Sequence, residues 1–388
     1  MVACATGARG QQPITREQAV ESAVARGARA AVARADTLVS AAQLLTARAR
    51  ENPSLSATYS KSLPHYHAIV DLPFDLAGIR GARIRSAEAT RLASQYRFEF
   101  ERAAAALDAD TTYTRALAAL ARVGLARRNA KDADSLRRMA IVRRDAGDAS
   151  ELDVLLATVN AGQAANIAAA DSLTLVSSLF DLQTVMGLEA NGIVVMPADS
   201  LALPPASSPD SVQPLTLPVA AAQQALTAAD LSVRVQHRSL FTPFSLQAGI
   251  EQGDPGEPGI LPTFGVSIPL PLLNRNRGPI AQAEAERERA RAELALARFE
   301  TRSAIGHALR QRDVALTRIA RDKLLVESAN RVAAMSLTAY REGAQGLPNV
   351  LEAQRNVREI LSQYIDDLTN AWISSATLRL FTLTVPAR

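Results

Sequence analysis

Two hydrophobic periods divide this chain. From Pro279 to about Tyr340, the residues Ile305, Leu309, Leu316, Ile319 and Val326 recur at spacings of four, seven, three and seven. That heptad-like stripe predicts a helix with one apolar face. Pro279 stands where a first-turn proline belongs. No proline interrupts Pro73–Pro197 or Pro279–Pro348, which permits very long helices. About 60 residues at 1.5 Å each predict a rod on the order of 90 Å. Four short segments carry the other period, two. In Ser54–Ser60, Leu55, Ala57 and Tyr59 oppose the serines and Thr58. In His65–Phe74, Tyr66, Ala68, Val70, Leu72 and Phe74 share a face. Phe244–Glu251 and Thr263–Leu270 alternate in the same way. Strict alternation predicts strands with one apolar and one polar face. They fall into two hairpins, closed by Lys61–Pro64 and by the Gly/Pro-rich loop Gln252–Pro262.

The chain repeats itself. Arg80-Gly81 is answered by Arg277-Gly278, Gly147 by Gly343, Val154-Leu155 by Val350-Leu351, and Ala157 by Ala353, at an offset of 196–197 residues. An internal repeat constrains the fold more than any single motif. We divide the chain into an N-terminal remnant of a signal or tail (1–13), a first repeat (14–196), a proline-rich linker (197–218) and a second repeat (219–385). The strands are expected at about 54–62, 65–74, 243–251 and 263–271. The helix leading into the first hairpin is expected over Ile14–Glu51. Its counterpart, Leu217–Ser239, is much shorter.

Composition sharpens the helical part. Hydrophobic residues make up 48% of the chain but aromatics only 4%, much of the rest being alanine. Alanine favours helix and buries little area, which suits long helices packed closely. The net charge of +4 is scattered, with no block of like charges that would hold a nucleic acid. The one cysteine, Cys4, excludes an internal disulfide. No apolar run reaches transmembrane-helix length. Met1–Gln12 lacks the basic start and apolar core of a signal peptide. Met1-Val2-Ala3-Cys4 loosely resembles the end of a bacterial lipoprotein signal, which makes Cys4 a possible lipidation site. No phosphate-binding, nucleophile-elbow, Cys-x-x-Cys or dinucleotide fingerprint is present. We therefore expect no enzyme, no cofactor and no metal site. His65 and His67 share a strand face, but they lie beside a hairpin tip and read as surface residues.

The strands raise a closure problem. A sheet in lipid cannot keep an open edge, because unpaired backbone groups there are unsatisfied. The smallest single-chain barrels need about eight strands, so four cannot close alone. The bland alternative is a small soluble sheet capping a helical bundle.

At this point the residues resemble a family. Two rounds of helix, hairpin, long helix, glycine turn and return helix look like the TolC family of outer-membrane efflux proteins. Val266–Ala283 is similar to that family's strand-to-helix junction, and most like the subgroup serving cobalt–zinc–cadmium and copper–silver exporters. Arg144–Ala157 and Tyr340–Gln354 resemble its two periplasmic turns. The resemblance implies a mostly α fold with a small β part. Three copies at four strands each would give a 12-stranded β-barrel, joined to an α-helical barrel. It implies a homotrimer in the outer membrane, contacting lipid and extending into the periplasm. Its partners would be a periplasmic adaptor (membrane fusion) protein and an inner-membrane pump of the RND type. The function implied is a passive exit duct for metal cations or drugs. By family position, Gly147, Asp148, Ser150, Gly343, Gln345, Gly346 and Leu347 are expected to touch the adaptor. Asp153, Asn349 and Glu352 are expected at the tip gate, where Glu352 alone keeps the charge of the second-repeat pair. The competing readings are the adaptor itself or a coiled-coil scaffold without a membrane barrel.

Overall fold

The computed structural model describes residues 12–75, 78–189, 192, 195–205, 215–241, 244–253, 256, 259–268 and 273–384. Cys4 lies outside them. In chain order the elements are β1 (Gln12–Ile14), α1 (Arg16–Arg26), α2 (Ala28–Arg48), β2 (Ser54–Tyr59), β3 (Tyr66–Phe74), α3 (Ile79–Asp145) and α4 (Glu151–Val185). They continue with β4 (Val195–Pro197), α5 (Leu217–Arg238), β5 (Phe244–Gln252), β6 (Ile260–Ser267), α6 (Arg277–Arg341) and α7 (Leu347–Thr382). The proline-free stretches do form single helices, α3 of 67 residues and α6 of 65. The fold is mostly α with a small β part, as expected. The chain divides into two compact units, and each takes residues from both sequence repeats.

One unit comprises residues 32–99, 215–301 and 384–388 and contains a four-stranded sheet in the order β2-β3-β5-β6. Every neighbouring pair is antiparallel. The two predicted hairpins therefore pair through β3 and β5. Tyr66 opposite Gln252 and Phe74 opposite Phe244 define their register. The second hairpin's closing loop is tighter than expected: Gln252 pairs with Ile260, so β6 begins at Ile260 and not at Thr263. Pro262 falls within β6, which is an edge strand, where proline is tolerated. Three loop-end and junction features hold the sheet's surroundings. Asp75 accepts the amides of Ile79 and Arg80 at 2.7 Å each, capping α3. Arg80 donates to the Arg48 carbonyl at the end of α2. Asn276 adopts a left-handed φ of 54° before α6, a conformation Asn tolerates. Its side-chain amide donates to the Gln236 carbonyl and Ser239 Oγ at 2.8 Å each.

The lead-in helices need a correction. The expected helix Ile14–Glu51 is broken at Gly27, whose ψ of 133° leaves the helical region. A Cβ at Gly27 would lie 2.3 Å from the Ala23 carbonyl oxygen, so the break needs glycine. The second piece, α2, has 21 residues and its counterpart α5 has 22. The second repeat is not short; the first carries an additional helix, α1.

The other unit comprises residues 1–31, 100–214 and 302–383. A feature not foreseen from the sequence ties it together: β1 pairs in parallel with β4, Gln12 opposite Val195 and Ile14 opposite Pro197. Ile14 and Val195 then join a core with Ala19, Tyr113, Leu117, Leu179, Leu182 and Met186. Beside it Arg16 stacks on Trp372 at 3.9 Å and on Tyr113 at 5.2 Å. Arg16 also pairs with Asp110 and donates to Thr114 Oγ1 at 2.8 Å. Arg379 reaches the other oxygen of Asp110 at 2.6 Å. The Tyr113 hydroxyl lies 2.9 Å from the Ile14 carbonyl and 2.8 Å from Asp199 Oδ2. Burial, then the Asp199 contact, pushes the Tyr113 phenol up to about 12, so it remains a donor. This clasp joins the chain start, the first repeat, the linker and the last helix. The heptad stripe is also realised: Ile305 and Ile319 are buried, with Leu309 and Leu316 packed partly buried beside them.

Candidate functional site

The two glycine turns close in the same way. Gly147 has φ +85° and Gly343 φ +74°, the left-handed region that lets a helix stop and reverse. Gly147 N donates to the Arg144 carbonyl at 2.9 Å, and Asp148 N to that of Arg143 at 2.8 Å. Gly343 N donates to Tyr340 at 3.1 Å, and Ala344 N to Ala339 at 2.8 Å. These are paired Schellman closures. A single core lies beneath both turns: Leu136, Ala140, Val154, Ala157, Tyr340, Leu347 and Val350. Val154, Ala157 and Val350, recognised from the repeat, are among its packing contacts, with Leu351 partly buried beside them.

The return helices start differently. Ser150 and Asp153 form a capping box: Asp153 N donates to Ser150 Oγ at 3.2 Å, and Ser150 N to Asp153 Oδ2 at 3.2 Å. At the matching positions stand Gly346, without a side chain to cap, and Asn349, with Pro348 inside the first turn. The first carboxylate of the expected gate is therefore engaged in capping the start of α4. Glu352 is exposed. It borders a groove of about 870 Å³ with Asp132, Arg341, Arg355 and Arg358 among its walls. Arg355 donates to Glu359 at 2.8 Å. That bond, and then the charges of Glu359 and Glu352, holds its guanidinium above the usual range. Charges of both signs thus share this surface.

Of the expected contact residues, Gly147, Asp148, Ser150, Gly343 and Gly346 are exposed and Gln345 half-buried. Leu347 is 0% exposed and supports the turn from below, so it presents nothing to a partner here. The sequence reading missed Arg143. It lies over the Tyr340 ring at 4.7 Å, donates to the Tyr340 carbonyl, and donates to the Asp148 carbonyl at 3.3 Å. One side chain thereby latches the two turns. The available signal was an arginine in the last turn of one long helix and an aromatic in the last turn of the other. Burial raises the Tyr340 phenol, with Arg143 opposing the shift.

A second charged feature was also missed. Asp322 on α6 and Asp367 on α7 are 3% and 2% exposed. Desolvation first, then the neighbouring Asp322 carboxyl, pushes Asp367 up to about 6, while Arg318, 3.0 Å away, pulls it down. A second carboxyl this close favours the protonated form of Asp367. Among the described residues no three His, Cys, Asp or Glu side chains gather as a metal site, and no helix is long and apolar enough to cross a membrane.

Comparison with known proteins bears on the C-terminal part of the sequence and on the fold. Residues 216–382 match the family described as Outer membrane efflux protein. Solved structures share the fold over nearly the whole chain. A membrane protein from Pseudomonas aeruginosa superposes with a TM-score of 0.82 at 20% identity, covering 95% of this chain and 90% of its own. CusC, studied for transmembrane channel formation, gives 0.80 at 16% identity, with 95% and 92% covered. The Campylobacter jejuni CmeC outer membrane channel gives 0.78 at 16% identity, with 95% and 85% covered. No curated protein matches the sequence.

Proposed function

We propose that this chain is one protomer of a homotrimeric exit duct in the outer membrane, serving a tripartite efflux system. The observation that carries the reading is the sheet. Its apolar face is bare: Phe264 is 81% exposed and Leu55 71%, with Tyr59, Leu246, Ile250 and Val266 also exposed. Aromatics band that face at both ends, Tyr59 against Tyr66 at 5.3 Å and Phe74 against Phe244 at 6.2 Å. Tyrosines and other aromatics favour membrane interfaces. Both outer strands, β2 and β6, keep an unpaired edge among the described residues. Lipid on the face and neighbouring copies on the edges satisfy both deficits at once. Exposed apolar residues on α4, including Leu152, Leu155 and Val159, suit further contact between copies.

In this reading a periplasmic adaptor engages the exposed turns through Gly147, Asp148, Ser150, Gly343, Gln345 and Gly346. An inner-membrane RND pump supplies the energy. Glu352, repeated three times around an axis, forms the charged ring of the gate, with Asp153 and Asn349 beside it. The cargo is metal cations or drugs, and lipidation of Cys4 would add an anchor. The chain needs no catalytic group for this task.

The test is fractionation of cells expressing the full-length gene, followed by an unheated gel of the membrane fraction. The expected result is an outer-membrane species of trimer size that collapses to monomer on boiling. A soluble monomer sinks the reading; an inner-membrane location points to an adaptor. For the gate, Glu352→Ala is expected to alter closed-state single-channel conductance.

A further inference from the structure

The other face of the sheet carries an asymmetry that the duct reading leaves unused. None of β2, β3, β5 and β6 contains a lysine or arginine. Their two carboxylates, Asp71 and Glu251, both lie on the polar face, opposite to Val70, Leu72, Leu246 and Ile250 by strand alternation. Both are anchored. Asp71 accepts Gln247 Nε2 at 2.7 Å and Ser245 Oγ at 3.3 Å from the neighbouring strand. Glu251 stands directly opposite His67, its carboxylate 3.5 Å from Nδ1. Through the register, Asp71 faces Gln247, four residues from Glu251. The two carboxylates therefore occupy separate levels, about 13 Å apart along the strands.

We infer that Asp71 and Glu251 set the ion selectivity of the barrel, favouring cations over anions. The inference rests on the duct reading, in which the apolar face meets lipid and the polar face lines the lumen. Threefold symmetry then makes two stacked carboxylate rings with no lysine or arginine on the strands to offset them. Rings of fixed carboxylates attract cations and repel anions in pores. Holding Asp71 by donors from β5 keeps its charge at the wall and prevents it from folding away. The substrate class this favours is a cation or a cationic small molecule.

The experiment is reversal potential across a planar lipid bilayer, with the purified full-length protein under a KCl gradient. The wild type is expected to be cation-selective. Asp71→Asn/Glu251→Gln, which keeps size and hydrogen-bonding groups, is expected to lower the K⁺/Cl⁻ permeability ratio by about twofold or more. The same drop is expected in a Glu352→Gln background, which separates the barrel from the helix turns. Each single variant should give part of the shift, so the inference stays testable if the double variant fails to assemble on the unheated gel. A wild type that is not cation-selective, or a double variant with unchanged selectivity in both backgrounds, overturns this inference and leaves the duct intact. Wild-type protein that forms no channels overturns the duct reading, and this inference with it.

Discussion

The two units bury their apolar groups differently. In the helical unit, Leu136, Tyr340, Leu347 and Val350 are covered by the chain itself. In the sheet unit, Phe264, Leu55 and Val266 are not. The same kind of residue is spent on self-packing in one unit and presented outward in the other. The lesson is that periodicity alone does not reveal what an apolar face is for. A stripe on a long helix found its partner in the same chain, whereas the face of the sheet is left uncovered by it.

That contrast can be broken experimentally. The largest effect is expected at the clasp. Arg16→Ala leaves Asp110, whose side chain is 10% exposed, with only Arg379 as its cationic partner. Removing one member of a buried ion pair costs about 3–5 kcal/mol, here somewhat less because Arg379 remains. Thermal unfolding followed by circular dichroism should show it, and an unchanged midpoint would mean that the clasp contributes nothing. Next, Leu136→Ala should cost about 2–5 kcal/mol by opening a cavity beneath the turns. Phe264→Ala on the sheet should change protomer stability by less than about 0.5 kcal/mol. Equal losses at the two sites would erase the distinction drawn here.

The third effect depends on pH. Asp367 binds its proton more tightly in the folded chain, up to about 6 against an ordinary 3.8. A raised folded value makes stability fall as pH rises from about 4 to 6, then level off. Asp322→Asn places a donor beside Asp367 and relieves the shared charge. It should stabilise the protein by about 1–2 kcal/mol at pH 7.5 and make the slope between pH 4 and 6 shallower, the part due to burial of Asp367 remaining. Identical pH profiles for the two proteins would show that Asp322 contributes nothing to the raised value of Asp367. A modest loss is expected at the turn. Ser150→Ala removes the capping box and should cost about 1 kcal/mol. The matching position, Gly346, has no side-chain cap to lose, so the two repeats should respond unequally.

Much of this architecture was legible. The duplication, both hairpins, the glycine reversals and the long helices follow from period, proline spacing and the 196-residue echo from Gly147 to Gly343. The site was legible in outline only. Gly147 and Gly343 could be named as turns because φ > 0 selects glycine. Asp153 could be read as a gate acid, yet its first engagement is with Ser150, a local bond that two residues at this spacing can always make. The contact of Arg143 with Tyr340 escaped notice because the two are 197 residues apart in the chain and Arg143 breaks no pattern. The break at Gly27 was hidden because one glycine in an Ala/Arg-rich run is compatible with a continuous helix.

The sequence by itself determined what local physics can encode: helix where proline is absent, strand where polarity alternates, reversal where glycine recurs. Only the tertiary structure decided which distant residues meet. It brought Asp322 against Asp367, Arg16 between Tyr113 and Trp372, and Asp71 beside Gln247. These contacts depend on packing and register between segments far apart in the chain, and no residue carries a local mark of its partner. Returning to the sheet, alternation told which side chains share a face. The register showed that both of its carboxylates stand on the polar one.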